Sequence, residues 1–488
     1  MTANMTRHAP GVWEELLTRA AKGLSVRSDS RLVEPGDVFV ALPGSSVSGA
    51  DYIAMALARG AAFIITQNEQ NIPPGQTGAA AFVIREDIRQ ALGELAAAHY
   101  GTASLPFPLA GVTGTNGKTT IVYLVEHILR AYGGRPGALG TVEYRWPGHV
   151  QNAPLTTPGC LALHAMLSEM IRANVSAAVM EASSHALDQG RLAGLSFDAA
   201  VLTNVTQDHL DYHKTMEAYF ASKRLLFTKY LKDPSGAVIN FDDAFGRRLL
   251  AEMPGALGYG LGGEAVPKRA LRGRITRQDT LGMELEMRLG DHVWRIASPL
   301  AGRHNAHNLL AAQGAALCMG APVSAFQALC ECHGAPGRLE RVRNDRGLAV
   351  FVDYAHTPDA LENVLKALRE LHFERIVAVF GCGGDRDRAK RPLMAAAVAK
   401  WADMAVLTSD NPRHEDPMAI IADARPGLAK AAKAIIEPDR REAIRLALAE
   451  TGPKDALLVA GKGHEAYQQI GDVKHPFDDV TVVKELLI

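Results

Sequence analysis

The sequence predicts an α/β protein of three domains, and three observations carry that prediction. A Gly-rich turn joins an apolar strand to an amphipathic helix at 109–129. Several buried-strand runs in the middle of the chain stop at polar clusters, and from about residue 336 strands and helices alternate regularly. The chain has 488 residues, room for about three domains of ~100–200 residues each. The expected segments are an N-terminal α/β domain over 1–104, a central parallel-sheet domain like a phosphate-loop ATPase over 105–335, and a C-terminal doubly wound, Rossmann-like domain over 336–488.

In the first segment, short β-like runs (37–42, 62–66, 81–84) alternate with helical ones (52–59, 89–100). Asp29-Ser30-Arg31 precedes a strand and a Pro35-Gly36 turn, which by residue type alone is a polar turn. Leu105-Pro-Phe-Pro108 reads as a Pro-marked linker.

The second segment opens on LAGVTGTNGKTT, residues 109–120. Gly114 and Gly117 permit close backbone approach to a phosphate, and Thr115 and Asn116 lie between them. The helix start supplies free N–H groups, Lys118 a point charge, and Thr119 and Thr120 hydroxyls, of which the Thr119 oxygen suits Mg2+. The full phosphate-loop pattern has a further Gly where Val112 stands, so the match is to the GxxGKT core. Two later strands, 175–180 and 199–202, end at Glu181-Ala-Ser-Ser-His185 and at the run from Thr203 to His213. Ligands collect at the carboxyl ends of strands in open α/β sheets, so Glu181 and His209 are expected to face the crevice of Thr119. Residues 216–231 form an apolar-striped helix in which Lys223, by residue type, is a solvated lysine. Gly302-Arg-His-Asn305-Ala-His-Asn308 precedes an apolar helix at 309–319 and offers caps or contacts to a nucleotide base.

In the third segment each strand (349–353, 376–380, 404–408, 457–460) runs into a polar sequence, with helices at 361–371, 393–401, 420–432 and 443–449. These sequences are Asp353 to Pro358, Gly381 to Arg388, Ser409 to Asp416 and Gly461 to Glu465. Four such ends on one rim exceed what turn chemistry requires. Gly381–Gly384 lacks GxGxxG and opens no helix, so it is no dinucleotide fingerprint.

Composition narrows the function classes. Apolar residues are 47% and charged residues 22%, and 52 basic against 53 acidic side chains give a net charge of −1. That balance points away from nucleic acid and membrane surfaces. The N-terminus has no signal-peptide pattern and no run approaches the ~18 apolar residues of a span, so a cytoplasmic protein without membrane insertion is expected. Five irregularly spaced cysteines fit reduced thiols, and Cys330-Glu-Cys-His333 lacks a second metal half-site.

The motif order resembles the ATP-dependent Mur ligases of peptidoglycan synthesis. The resemblance rests on Gly114–Thr119, Glu181–His185, Asn204–His213, Gly302–Asn308, Asp353–Pro358 and Gly461–Glu465, which span nearly the whole chain. Within that family, Asp29–Arg31, Thr156-Thr-Pro158, Gly381–Pro392 and Asp410-Asn-Pro-Arg413 resemble the form that adds meso-diaminopimelate. The resemblance implies ATP and Mg2+ as cofactors and, as small-molecule substrates, UDP-MurNAc-L-Ala-D-Glu and meso-diaminopimelate. No protein partner is implied. The D-glutamate carboxylate would be phosphorylated by ATP and the acyl phosphate attacked by an amine.

Carried over by position, the resemblance makes Lys118, Glu181, His209 and Lys223 the catalytic set. Thr119, Glu181, His209 and Lys223 would be Mg2+ ligands, Lys223 as a CO2-derived carbamate (N6-carboxylysine). Asn305, Arg338 and His356 join Gly114–Thr120 at ATP. Ser30 would touch uridine, and Thr156, Thr157, Ser183, Gln189 and Arg191 the sugar-peptide. Arg386, Asp410, Asn411, Pro412, Arg413, Gly461 and Glu465 would hold the incoming amino acid. Arg413 carries specificity, because a guanidinium pairs bidentately with the far carboxylate of diaminopimelate, and lysine-adding relatives lack it.

Two departures stand out. Ser45–Val47 replaces the His or Gln that relatives often set beside uracil, and Leu155 stands where some have Asn. The competing readings are a lysine-adding or folylpolyglutamate-type ligase, a nucleotide-binding switch and a dehydrogenase. Arg413 opposes the first pair, the unexplained C-terminal rim and Lys223 oppose the switch, and the missing fingerprint opposes the last.

Overall fold

The structure is a computed structural model that describes residues 10–44, 47–72, 80–262 and 266–488. It is mixed α/β, and the chain forms two compact units. The first contains Met1–Thr113, Gly133–Ala200 and Ala221–Ala237, and the second Gly114–Tyr132, Val201–Phe220 and Val238–Ile488. The helix after the Gly-rich turn therefore belongs to the unit that also holds the C-terminal segment.

In the first unit, Val26–Arg27, Val38–Val40, Phe63–Thr66 and Ala81–Ile84 form a parallel sheet in sequence order. One face packs Leu16, Ile88, Leu92 and Leu95 from the helices Pro10–Ala21 and Ile88–Tyr100, and the other packs Ile53 and Ala56. The stretch marked as a linker is pinned: Phe107 is buried and Pro108 O accepts the Ala178 N–H. Beyond it, Leu109–Thr113 and Pro136–Leu139 flank Ala177–Glu181 in parallel, and Glu143–Trp146 and His149–Asn152 add an antiparallel hairpin. Every residue of Leu109–Thr113 and Ala177–Glu181 is buried, as parallel strands covered on both faces require.

The second unit carries Val238–Asn240 parallel to Leu257–Gly260 and Ala270–Arg272, followed by the antiparallel strands Gly282–Leu289 and His292–Ser298. Its C-terminal sheet runs in the order Glu340–Val342, Ala349–Asp353, Ala456–Ala460, Ile376–Cys382, Met404–Ser409, Ala434–Ile436, all parallel except the first. Leu361, Leu365, Met394, Val398 and Ile421 cover one face, and Ile444, Leu448, Val482 and Val483 the other, which is the expected double winding. No helix among the described residues is long and apolar enough to cross a membrane.

Three element boundaries differ from expectation. The helix expected at 309–319 starts at Arg303, so His304, Asn305, His307 and Asn308 lie inside its first two turns. Gly302, at φ 92°, forms the cap that periodicity could not reveal. The segment 216–231 is an α-helix only to Leu225 and continues as a π-turn, Leu226–Tyr230. Residues 420–432 are replaced by a helix at Pro417–Ala424, started by the Asp416 cap and Pro417, and a 3-10 stretch at Arg425–Lys430.

Candidate active site

The Gly-rich loop from Gly114 to Thr120 sits in the second unit, and its shape follows from close approach. Gly114 (φ 144°) and Gly117 (φ 91°) occupy backbone conformations that exclude side chains. An added Cβ would strike Thr203 Oγ1 at the first and Asn308 Oδ1 at the second. The loop is laced to 203–206: the Thr115 and Asn116 N–H groups donate to Asn204 O (2.8 Å) and Asn204 Oδ1 (3.0 Å), and Thr203 Oγ1 donates to Asn116 O (2.6 Å). Lys118 Nζ folds onto Gly114 O (3.0 Å) and Thr115 O (2.8 Å), so the ammonium lies over the loop it would share with a phosphate. Thr119 and Thr120 are buried in the first turn of the helix Lys118–Ala131.

Beside the loop lies a cavity of 440 Å3, lined by Asn116, Gly117, Thr120, Asn305, Arg338 and Asp359 among others. Asp359, which sequence reasoning passed over, takes three donors on one oxygen: Asn116 Nδ2 and Thr206 Oγ1, each at 2.9 Å, and Asn363 Nδ2 at 3.2 Å. Arg338 lies 4.6 Å over the Tyr354 ring, and its Nη2 is 3.4 Å from Thr119 Oγ1. His356 does not line the cavity; its Nδ1 donates to Tyr354 O at 2.7 Å. Asp353 accepts the Leu339 and Ala355 N–H groups, and burial pushes its carboxyl above the ordinary range despite Arg338 nearby. His209, at φ 52°, has Nε2 3.4 Å from Asp208. Burial raises the Asp208 carboxyl, but His209 and Lys390 outweigh it and hold the group low.

At the carboxyl rim of the C-terminal sheet, the amino-acid residues expected from sequence do converge. Asn411 Nδ2 donates to Glu465 Oε2 at 2.8 Å, and a Cβ on Gly461 would lie 2.7 Å from Asp410 Oδ2. A Cβ on Gly383 would be 3.1 Å from Arg413 Nη1 and 3.8 Å from Arg386 Cγ, so the two guanidinium-bearing chains flank that glycine. Arg413 has φ 52°; its backbone pairs with the hairpin Tyr467–Pro476, and Nη1 donates to Gly384 O at 2.7 Å. Lys462, absent from the expected set, is fully buried at the centre. Two of its partners, Asp410 and Asn411, lie some fifty residues away in the chain, so its local sequence does not disclose the cluster.

The sugar-peptide candidates gather in the first unit. Thr157 Oγ1 donates to Glu181 O at 2.8 Å and accepts the Ser183 N–H at 3.1 Å. Arg191 donates to Thr157 O at 3.0 Å and to Gln189 Oε1 at 2.7 Å, and Thr156 Oγ1 is 3.2 Å from Thr141 Oγ1. Glu181 is fully buried and accepts both the N–H and the hydroxyl of Thr141, at 2.8 and 3.1 Å. Ser30 is buried in a 3-10 turn capped by Asp29, with its hydroxyl 3.3 Å from Met55 Sδ. Of the uracil-side run, Ser45 and Ser46 lie outside the described residues. Lys223 is 1% exposed, so the solvated lysine that its residue type suggests is not what the fold makes of it.

Residues 25–100 match the model of the Mur ligase family catalytic domain, 112–316 the Mur ligase middle domain, and 337–463 the Mur ligase glutamate ligase domain. A UDP-N-acetylmuramoyl-L-alanyl-D-glutamate–2,6-diaminopimelate ligase of Lawsonia intracellularis is 51% identical over 467 residues, 96% of each chain. A solved structure of a ligase of that name superposes with a TM-score of 0.68 at 36% identity, covering 95% of this chain and 94% of that one. The MurF ligase of Thermotoga maritima in complex with ADP shares the fold at 20% identity and a TM-score of 0.60, covering 97% and 98%. With three family models along its length and such identity over nearly all of it, this protein belongs to the Mur ligase family.

Proposed function

We propose that this chain is the ATP-dependent ligase that joins meso-diaminopimelate to the D-glutamate of UDP-MurNAc-L-Ala-D-Glu in peptidoglycan precursor synthesis. The observation that carries the reading is the second unit's pairing of a phosphate loop and its cavity with a rim that sets Arg386 and Arg413 beside a donor–acceptor pair, Asn411 and Glu465. The relatives' names support the same substrates. We place the reaction in the cytoplasm and keep the three-domain division at 104 and 335; the three matched family stretches fall inside those segments.

In this reading Lys118 and the loop N–H groups hold the triphosphate, with Asn305, Arg338 and His356 on the nucleotide side. A D-glutamate carboxylate oxygen attacks the γ-phosphorus, the bond to the β-phosphate oxygen breaks, and ADP leaves. The amine of diaminopimelate adds to the acyl carbon, loses a proton, and the tetrahedral intermediate expels phosphate. Protein groups act by positioning and by charge stabilisation. Thr157, Ser183, Gln189 and Arg191 orient the sugar-peptide, Thr156 borders them, and Ser30 serves uridine. Arg386, Asp410, Asn411, Pro412, Arg413, Gly461 and Glu465 seat the amino acid, with Arg413 forking onto its far carboxylate.

Of the residues assigned to Mg2+, Thr119 and His209 belong to the second unit and Glu181 and Lys223 to the first. Thr119 and Glu181 offer oxygens, His209 a nitrogen, and among the described residues no group of three or more His, Cys, Asp or Glu forms an all-protein cage. In phosphoryl-transfer sites Mg2+ is held mainly by the phosphates, water and one or two protein oxygens. When bound, it neutralises charge developing on the transferring phosphoryl group. Lys223 joins this set as a carbamate: its neutral amine adds to CO2 through a new N–C bond and releases a proton, turning a cation into an anionic oxygen donor. Its burial at the end of a helix that passes into a π-turn supports a special role.

Phosphate release measured with ATP is expected to require both UDP-MurNAc-L-Ala-D-Glu and meso-diaminopimelate. Equal turnover with L-lysine would sink the substrate assignment, and hydrolysis without either substrate would sink the ligase.

A further inference from the structure

The rim contains a charge that no role above uses. Lys462 is fully buried, in a position where an ammonium is costly unless oxygens surround it. Three do: Asn411 Oδ1 at 3.0 Å, Asp410 Oδ1 at 3.5 Å and Glu465 Oε2 at 3.7 Å. Asp410 and Asn411 are themselves buried, and the Tyr467 ring lies 5.6 Å from the ammonium.

These contacts settle which way the Asn411 amide points. Its oxygen accepts from Lys462 and from the Gln469 N–H at 2.9 Å, so its nitrogen faces Glu465. The pair therefore presents an N–H donor beside a carboxylate acceptor, the pattern that complements a carboxylate next to an ammonium. A second buried pair, Arg440 and Asp479 at 2.7 Å, lies behind it, with Arg440 Nη2 also holding Ala460 O just ahead of Gly461. Within this buried cluster the two cations Lys462 and Arg440 are set against the carboxylates of Asp410, Glu465 and Asp479. Neutralising Lys462 would remove one of these two cations and free the Asn411 amide to turn.

We propose that Lys462 is the positioning residue that sets the donor–acceptor polarity of Asn411 and Glu465, and through them the preference for an incoming amino acid whose far end is a zwitterion. Lys462 acts through its neighbours and is not itself assigned a substrate contact. The inference rests on the functional reading above.

The test uses the full chain, wild type beside Lys462→Met and Lys462→Gln, assayed by phosphate release with ATP, UDP-MurNAc-L-Ala-D-Glu and either meso-diaminopimelate or L-lysine. Lys462→Met is expected to raise KM for meso-diaminopimelate at least ~10-fold with kcat within ~3-fold, and to leave KM for ATP within ~2-fold. The ratio of kcat/KM for meso-diaminopimelate over L-lysine should fall ~10-fold, which a general loss of folded protein does not produce. An unchanged ratio, or equal rises in every KM, overturns the inference. If Lys462→Met is unfolded by circular dichroism, Lys462→Gln, which removes the charge but keeps a polar end among the same oxygens, decides: an unchanged ratio overturns the inference and a ~10-fold fall supports it. A wild type that ignores meso-diaminopimelate overturns the functional reading instead.

Discussion

Around Gly114–Thr120 the polarity that awaits a ligand comes from the main chain, a helix start and one lysine, all within seven consecutive residues. At the C-terminal rim it comes from side chains on separate loops, Asp410–Arg413, Gly461–Glu465 and Gly383–Arg386, fixed by a buried ion cluster. The first arrangement suits a triphosphate, a ligand recognised by charge and shape. The second suits the discrimination of one amino acid from another, because buried side-chain donors and acceptors reject a ligand that leaves them unpaired. The contrast predicts that damage to the loop removes turnover with every amino acid, while damage to the rim changes which amino acid is used.

The largest effect is expected from Gly117→Val. A side chain there meets Asn308 Oδ1 in a backbone region closed to β-branched residues, and turnover should fall on the order of 10²–10³-fold whichever amino acid is offered. Phosphate release with saturating substrates measures it; a defect confined to meso-diaminopimelate would break the comparison. Arg413→Lys keeps the charge and loses the fork, so kcat/KM for meso-diaminopimelate should drop ~10–100-fold with KM for ATP unmoved. A parallel rise in KM for ATP would show that the two regions are not separable.

The smallest effect is a pH dependence confined to the rim. His414, next to Arg413, has Nδ1 2.8 Å from Asp385 and Nε2 3.3 Å from Asp472, and the hydrogen bond to Asp385 followed by the charge of Asp472 raises it above its ordinary 6.5. A raised imidazole gives its full contribution below pH 6.5 and loses it as pH climbs through the raised value. An exposed bridge of this kind is weak, so KM for meso-diaminopimelate should rise only ~2-fold between pH 6.5 and 8.5. His414→Gln should flatten that slope. A matching slope in KM for ATP that persists in the variant would assign the effect elsewhere.

These two regions also differ in how much of them the sequence discloses. The phosphate loop is local: a strand, two glycines, a lysine and a helix follow one another, and the structure forms them in that order. The C-terminal strands were legible because parallel strands buried on both faces read as apolar runs, and their polar ends fell on one rim as open-sheet topology requires. Lys462 and Asp359 were not legible. Each has partners far away in the chain, Asp410 and Asn411 for Lys462 and Asn116 and Thr206 for Asp359, and a lysine or aspartate in an ordinary polar stretch carries no sign of which distant oxygens or amides the fold will deliver. Lys223 shows the same limit, since its residue type suggests a solvated lysine and packing buries it. The helix at Arg303 began earlier than its apolar period because His304, Asn305 and His307 interrupt the pattern where the cavity lies.

Asp359 has a further consequence. By holding Asn116, Thr206 and Asn363 on one oxygen it ties the phosphate loop to the first turn of the helix Pro358–Arg369. A nucleotide in the adjoining cavity would touch stretches of chain more than two hundred residues apart and complete their packing. Occupancy would then be readable as heat resistance: a ligand at 100 times its Kd adds about 2.7 kcal/mol to the native state. The melting temperature of this chain would then be a titratable gauge of a nucleotide in that cavity, without any reaction taking place.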